Sequence, residues 1–187
     1  MFATPAIAAA VEELDRMRAE RHDHWQIPAD EGRFLHQLAL SVRPRVIIEI
    51  GTSYGFSGLH WADVLHRTGG LLHTVDIDER KVRLSREIFA KAGVSHVVAN
   101  YHGDGAAVIP TLPDAVDLAF IDADKPNTAR YVELLWPKLR AGGSLLIDNA
   151  TTHRKELAGV VGALRSRPDA CSTEVAVGNG VEWAVKV

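Results

Sequence analysis

The chain has 187 residues, 47% of them apolar and 24% charged, with a formal net charge of −3. That length suits one domain with a single substantial core, and the charge balance offers no electrostatic footing for nucleic acid. Cys171 is the one cysteine, which excludes an internal disulfide framework and a multi-cysteine zinc site and fits a reducing, cytoplasmic home.

The opening MFATPAIAAAVEEL lacks a basic region ahead of an unbroken apolar run, so no signal peptide is expected, and no segment has the length to cross a bilayer. Ala6–Glu20 reads as an amphipathic helix with Ala10, Val11, Leu14 and Met17 on its apolar stripe. Arg21–Ile27, which contains Trp25, reads as a loop. Its His22 and His24 could form a metal pair or a solvated turn. Pro28 starts a second helix, Asp30 suits its dipole, Phe34, Leu35, Leu38 and Ala39 supply its buried side, and Pro44 stops it. Within a single domain spanning residues 1–187, the helices over residues 6–41 are expected to pack on or cover the ligand crevice.

The organising stretch is VIIEIGTSYGFS, Val46–Ser57. Val46–Ile50 is apolar and mostly β-branched, as in a strand covered on both faces, and a turn with Gly51, Thr52, Ser53 and Gly55 leads into a helix over Phe56–Leu65. Strand, small-residue turn, helix opens an open α/β sheet, and ligands bind at that turn. The spacing does not match GxGxxG, which weighs against a nicotinamide cofactor. Strands follow at Leu71–Asp76, Val97–Asn100, Asp117–Ile121 and Ser144–Ile147. Helices alternate with them at Asp78–Ala92, Gly105–Leu112, Asn127–Leu139 and Glu156–Ser166. The end differs: Cys171–Val177 and Val181–Val187 flank Gly178-Asn179-Gly180, a hairpin signal. Five strand–helix repeats and a hairpin predict a mainly parallel sheet with one antiparallel edge and helices on both faces.

Asp76 ends the second strand, where an acid can accept both ribose hydroxyls or cap the next helix; Asp78 is the better cap candidate. Asp104 and Gly105 follow the third strand and could line the same crevice. Asp122-Ala123-Asp124-Lys125 and Asp148-Asn149 each follow an apolar run, so both should emerge at the carboxyl edge of neighbouring strands. Two converging carboxylates need compensation. Asp122, Asp148 and the Asn149 amide oxygen could form half of a magnesium shell, or serve as helix caps with a carboxylate–lysine ion pair. Zinc is disfavoured because no thiolate or histidine cluster accompanies them. His153 could face the crevice or simply start a surface helix.

Taken together, ADEGRFLHQLAL, VIIEIGTSYGFSGL, HTVDID, FIDADKPNTARYVELLWPKLRAGGSLLIDNA and GNGVEWAVK resemble the divalent-metal- and S-adenosylmethionine-dependent O-methyltransferases of the catechol and caffeoyl-coenzyme A type. The resemblance implies a doubly wound Rossmann-like α/β fold whose seven-stranded sheet has the order 3-2-1-4-5-7-6, with strand seven antiparallel. It implies that Glu49, Gly51, Ser53 and Ser57 surround the methionine part of the cofactor, that Asp76 binds ribose, and that Gly105 and Ala106 lie near adenine. It assigns Asp122, Asp148 and Asn149 to the metal (Mg²⁺, or Mn²⁺ or Ca²⁺), Lys125 to catalysis, and Asp122 additionally to catalysis and the cofactor's amino group. A homodimer is implied by resemblance alone. Where the family often continues Asp-Asn with a Leu-Trp pair, this chain reads Ala150-Thr151-Thr152-His153, so neither catechol nor caffeoyl-coenzyme A carries over as the acceptor.

The expected activity is therefore methyl transfer to a hydroxyl of a small, catechol-like acceptor oriented by a divalent metal, with no nucleic-acid or membrane partner. A metal-independent small-molecule methyltransferase is the alternative. A nicotinamide-dependent oxidoreductase and a non-enzymatic nucleoside-binding module are the other classes.

Overall fold

The computed structural model describes residues 1–20 and 26–187; the expected loop with His22, His24 and Trp25 lies outside the described residues. Two helices lead, α1 (Pro5–Glu20) and α2 (Ala29–Val42). Then strands and helices alternate: β1 (Val46–Ile50), α3 (Phe56–Thr68), β2 (Leu71–Asp76), α4 (Glu79–Lys91), β3 (Val98–His102), α5 (Gly105–Val108), β4 (Val116–Ile121), α6 (Thr128–Leu135), β5 (Leu139–Ile147) and α7 (Arg154–Arg165). The hairpin β6 (Ala170–Val175) and β7 (Val181–Lys186) closes the chain.

The sheet order is β3-β2-β1-β4-β5-β7-β6. The first five strands are parallel, and β7 runs antiparallel between β5 and β6. This is the expected Rossmann-like order. Alternation along the strands splits the core into two layers. Ile47, Leu72, Leu118, Phe120 and Leu146 pack with the α1–α4 layer, while Ile48, Ile50, Val75, Ile121 and Ile147 pack with α6 and α7 on the other face.

Two elements differ from the sequence reading for local reasons. β5 starts at Leu139 rather than Ser144, because a bulge absorbs the glycine pair: β4 advances from Val116 to Leu118 while β5 advances from Leu139 to Ser144. A Cβ on Gly143 would stand 2.9 Å from the carbonyls of both Arg140 and Val116, so the bulge needs glycine there. The expected helix over Asn127–Leu139 is α only over Thr128–Leu135 and tightens to 3₁₀ at Lys125–Asn127 and Trp136–Lys138. Pro126 and Pro137 each remove an amide donor in those terminal turns. None of the described helices is long and apolar enough to cross a membrane.

Candidate active site at the carboxyl edge of the sheet

The turn after β1 is built for close approach. Gly51 has φ of 105°, its N–H donates to Val75 O at 2.9 Å, and any Cβ there would overlap the Asp122 carbonyl. Only glycine lets this turn rest against the end of β4. Ser53 also adopts left-handed backbone (φ 46°), and its N–H donates to Asp76 Oδ2 at 2.7 Å. The other Asp76 oxygen accepts the Asp78 N–H at 2.9 Å, while Asp78 caps α4 through Arg80 N and Lys81 N. Asp76 thus ties two cofactor-side turns together. Asp104 caps α5 by accepting the Ala106 N–H, and Tyr131 packs beneath Gly105 while donating its hydroxyl to Asp124 Oδ1 at 2.9 Å.

These turns surround a crevice of about 710 Å³. Of the residues singled out in the sequence, Gly51, Ser53, Asp76, Gly105, Asp122, Lys125, Asp148, Asn149 and His153 all line it. Glu49, Ser57 and Ala106 do not. Glu49 lies fully buried beneath the turn, held by Trp61 Nε1 at 3.1 Å, Thr74 Oγ1 at 2.6 Å and Ser57. Burial pushes its carboxyl up to about 7 despite those hydrogen bonds. Two crevice-lining residues have a buried polar atom without a hydrogen-bond partner: Ser53 Oγ and Gln26 Oε1. Orphaned atoms in a polar crevice mark where a ligand's own groups belong, so the residues present fit a polar nucleoside–amino acid cofactor.

The ladder continues one residue beyond the strands, with Asp122 N–H donating to Ile50 O and Asp148 N–H to Ile121 O. It therefore sets Asp122 and Asp148 side by side. Burial, then the Asp148 charge, push the Asp122 carboxyl up to about 8, opposed by Lys125, whose Nζ stands 3.5 Å from Asp122 Oδ1 and donates to Ala123 O at 2.9 Å. A third acid, Glu31 of α2, is fully buried against Asp148. Burial and then that neighbouring carboxyl raise it far above the ordinary range.

Glu31, Gln26, Tyr131 and Asn179 escaped the sequence reading as site residues. Tyr131 could have been found from its helical spacing beyond Asp124. Glu31 carries no local signal, because its hydrogen-bond donor Asn179 lies 148 residues further on.

The expected metal centre is corrected. Among the described residues, no group of three or more His, Cys, Asp or Glu side chains could hold a metal ion. The charge that was expected to recruit a cation is met internally. Lys125 faces Asp122, and the Asn149 N–H donates to Asp148 Oδ1. Asp122, Asp148 and Asn149 all line the crevice, but no metal-holding cluster among the described residues supports a required divalent cation or a metal-oriented acceptor.

A sheet in the order 3-2-1-4-5-7-6, with a glycine turn after β1, an acid ending β2 and a crevice across the strand ends, defines the class I S-adenosylmethionine-dependent methyltransferases. The profile described as "O-methyltransferase" matches residues 6–160, and the chain belongs to that family, related to the catechol and caffeoyl-coenzyme A branch. It is 31% identical over 161 residues to a flavonoid 3',5'-methyltransferase of Vitis vinifera, a match covering 80% of this chain and 68% of the relative. It is 32% identical over 146 residues to a catechol O-methyltransferase of Mycobacterium tuberculosis, covering 78% of this chain and 64% of that one. The solved O-methyltransferase TomG of Streptomyces achromogenes, in complex with S-adenosylmethionine, matches with a TM-score of 0.83 at 25% identity, covering 98% of this chain and 90% of its own.

Proposed function

We propose that this protein transfers a methyl group from S-adenosylmethionine to a hydroxyl of a small, catechol-like acceptor, with no divalent metal in the step. The observation that carries the reading is the crevice itself, where Ser53 Oγ is buried and unpartnered, Asp76 ends β2, and Lys125 stands beside Asp122. In it, Gly51 and Ser53 meet the methionine end of the cofactor, with Ser57 and Glu49 supporting from beneath. Asp76 accepts the ribose hydroxyls, Gly105 and Ala106 border adenine, and Asp122 faces the amino group.

S-adenosylmethionine, when bound, supplies a methyl carbon carried on a positively charged sulfur. The chain's part is to hold an acceptor oxygen in line with that carbon and to manage its proton. Lys125 stabilises the developing phenolate or relays the proton, with His153 on the same wall as the other candidate base. The Nδ1 of His153 lies 3.3 Å from Glu156 Oε1. Residues 1–187 act as one unit, with Gln26, between α1 and α2, lining the crevice. A cytoplasmic location and a homodimer complete the proposal; light scattering tests the latter.

Calorimetry decides the class. Binding of S-adenosylmethionine and its demethylated product, with none of NAD, supports methyl transfer. Tight NAD binding alone would make the protein an oxidoreductase, and cofactor binding without methylation of any catechol would favour a binding module.

A further inference from the structure

The first turn of α2 reaches across the molecule to the β6–β7 turn. The Gly178 N–H donates to Asp30 Oδ2 and the Asn179 N–H to Glu31 Oε2, each at 3.2 Å. Gly178 has φ of 54°, and a Cβ there would overlap the Glu31 carboxyl. The same turn holds the loop after β5. Asn179 O accepts the Thr151 and Thr152 N–H groups at 3.1 and 3.2 Å, and Gly180 O accepts the Ala150 N–H at 2.8 Å. A continuous set of hydrogen bonds therefore runs from α2 through the hairpin turn to the loop that carries Asn149 and His153.

Glu31 is the fully buried member of this set, and it does not line the crevice. Its Oε1 has no hydrogen-bond partner, and the Asp148 carboxyl is a close neighbour of the group. Favouring the helix dipole does not require burial, since Asp30 already offers an exposed acid in the same turn. Burying a carboxyl is costly, so its two contacts need a further account. Its Oε2 accepts the Asn179 N–H and its carboxyl neighbours that of Asp148, and both of those residues line the crevice.

We propose that Glu31 is a positioning residue for the acceptor wall. It holds Asp148 and Asn179 in register with each other, and so sets affinity for the acceptor while leaving the cofactor end untouched. This rests on the proposed methyl transfer. It assigns Glu31 a role that an amide can also fill, because a glutamine would accept from the Asn179 N–H and donate an N–H to Asp148.

The test compares E31A and E31Q with wild type, using 1,2-dihydroxybenzene as acceptor, saturating S-adenosylmethionine, and calorimetry with S-adenosylhomocysteine. E31A is expected to raise the acceptor KM by about tenfold or more, the scale of one lost buried hydrogen bond, with S-adenosylhomocysteine affinity unchanged within about twofold. E31Q is expected to return KM to within about threefold of wild type. If E31A does not fold, E31Q alone still decides, because a raised KM in the folded glutamine variant overturns the assignment. So does a loss of cofactor affinity in parallel with KM, or an E31A enzyme with unchanged KM. Wild-type protein that neither binds nor methylates the catechol overturns the proposed function and this assignment together, whereas normal wild-type turnover with an unaffected E31A overturns this assignment alone.

Discussion

Two buried acid clusters flank the same helix layer and behave in opposite ways. Asp63 of α3 is fully buried, yet it accepts from the Ala3 N–H, from His36 Nε2 at 2.8 Å and from Arg67 Nε at 3.2 Å. Burial opposes its ionisation, but these donors hold its carboxyl below the usual range. Beside it His60, hydrogen-bonded to Phe56 O, is pushed down to about 4 by burial. At the crevice, Asp122, Asp148 and Glu31 face one another with Lys125 as the compensating cation beside Asp122, and Asp122 and Glu31 are driven up. Partner chemistry therefore decides the direction of the shift, since fully buried Asp63 is held down while the less buried Asp122 is driven up. Acids given donors are structural, whereas acids set against acids mark a site.

The sharpest break of this comparison is Asp63→Ala, which strips three donors of their shared acceptor. It should lower unfolding free energy by about 3 kcal/mol, the upper scale for leaving buried donors without their acceptor, in urea titrations. Affinity for S-adenosylhomocysteine should hold. A variant as stable as wild type would mean that the cluster is not the structural one.

Asp76→Ala works from the other side. S-adenosylmethionine binding should weaken by roughly 1.5–3 kcal/mol, the range for charge-assisted hydrogen bonds, read by calorimetry. Because Asp76 also accepts from the Ser53 and Asp78 amides, a small fall in melting temperature should accompany it. Unchanged affinity in the folded variant would remove Asp76 from the cofactor site.

How far the sequence reached follows the same division. The strand–turn–helix at Val46–Ser57 and the Gly178–Gly180 hairpin were legible because each depends on local pattern, whereas the sheet order came only with the family resemblance. Asp78 was legible as a cap for the same reason. Glu31 was not, since a first-turn acid looks solvated until a turn 148 residues away folds over it. The metal triad misled because spacing reports which carboxyls converge, while the Lys125 ammonium beside Asp122 and the lack of a metal-holding cluster among the described residues are settled only by distance. The bulge in β5 was hidden by a glycine pair that also reads as an ordinary turn.

Two buried groups beside these clusters, Glu49 and His60, should also tilt stability in opposite directions with pH. Glu49 titrates at about 7 when folded against 4.5 ordinarily, so the native state keeps a proton the unfolded chain has lost, and its stabilising effect fades as pH rises from 4.5 through 7. His60 is the reverse, at about 4 against 6.5, so stability present above 6.5 is lost as pH falls through 4. Melting temperature should fall less as pH rises between 4.5 and 7 in Glu49→Gln than in wild type. An unaltered fall would show that Glu49 is ionised in the fold.

The claim that joins these arguments is that the crevice balances its own charge and transfers a methyl group without a cation. The direct measurement is methylation of 1,2-dihydroxybenzene by the wild-type protein, dialysed against EDTA and assayed with S-adenosylmethionine in EDTA and then in excess magnesium. The account predicts equal rates in the two conditions. A rate that vanishes in EDTA and returns with magnesium would contradict it.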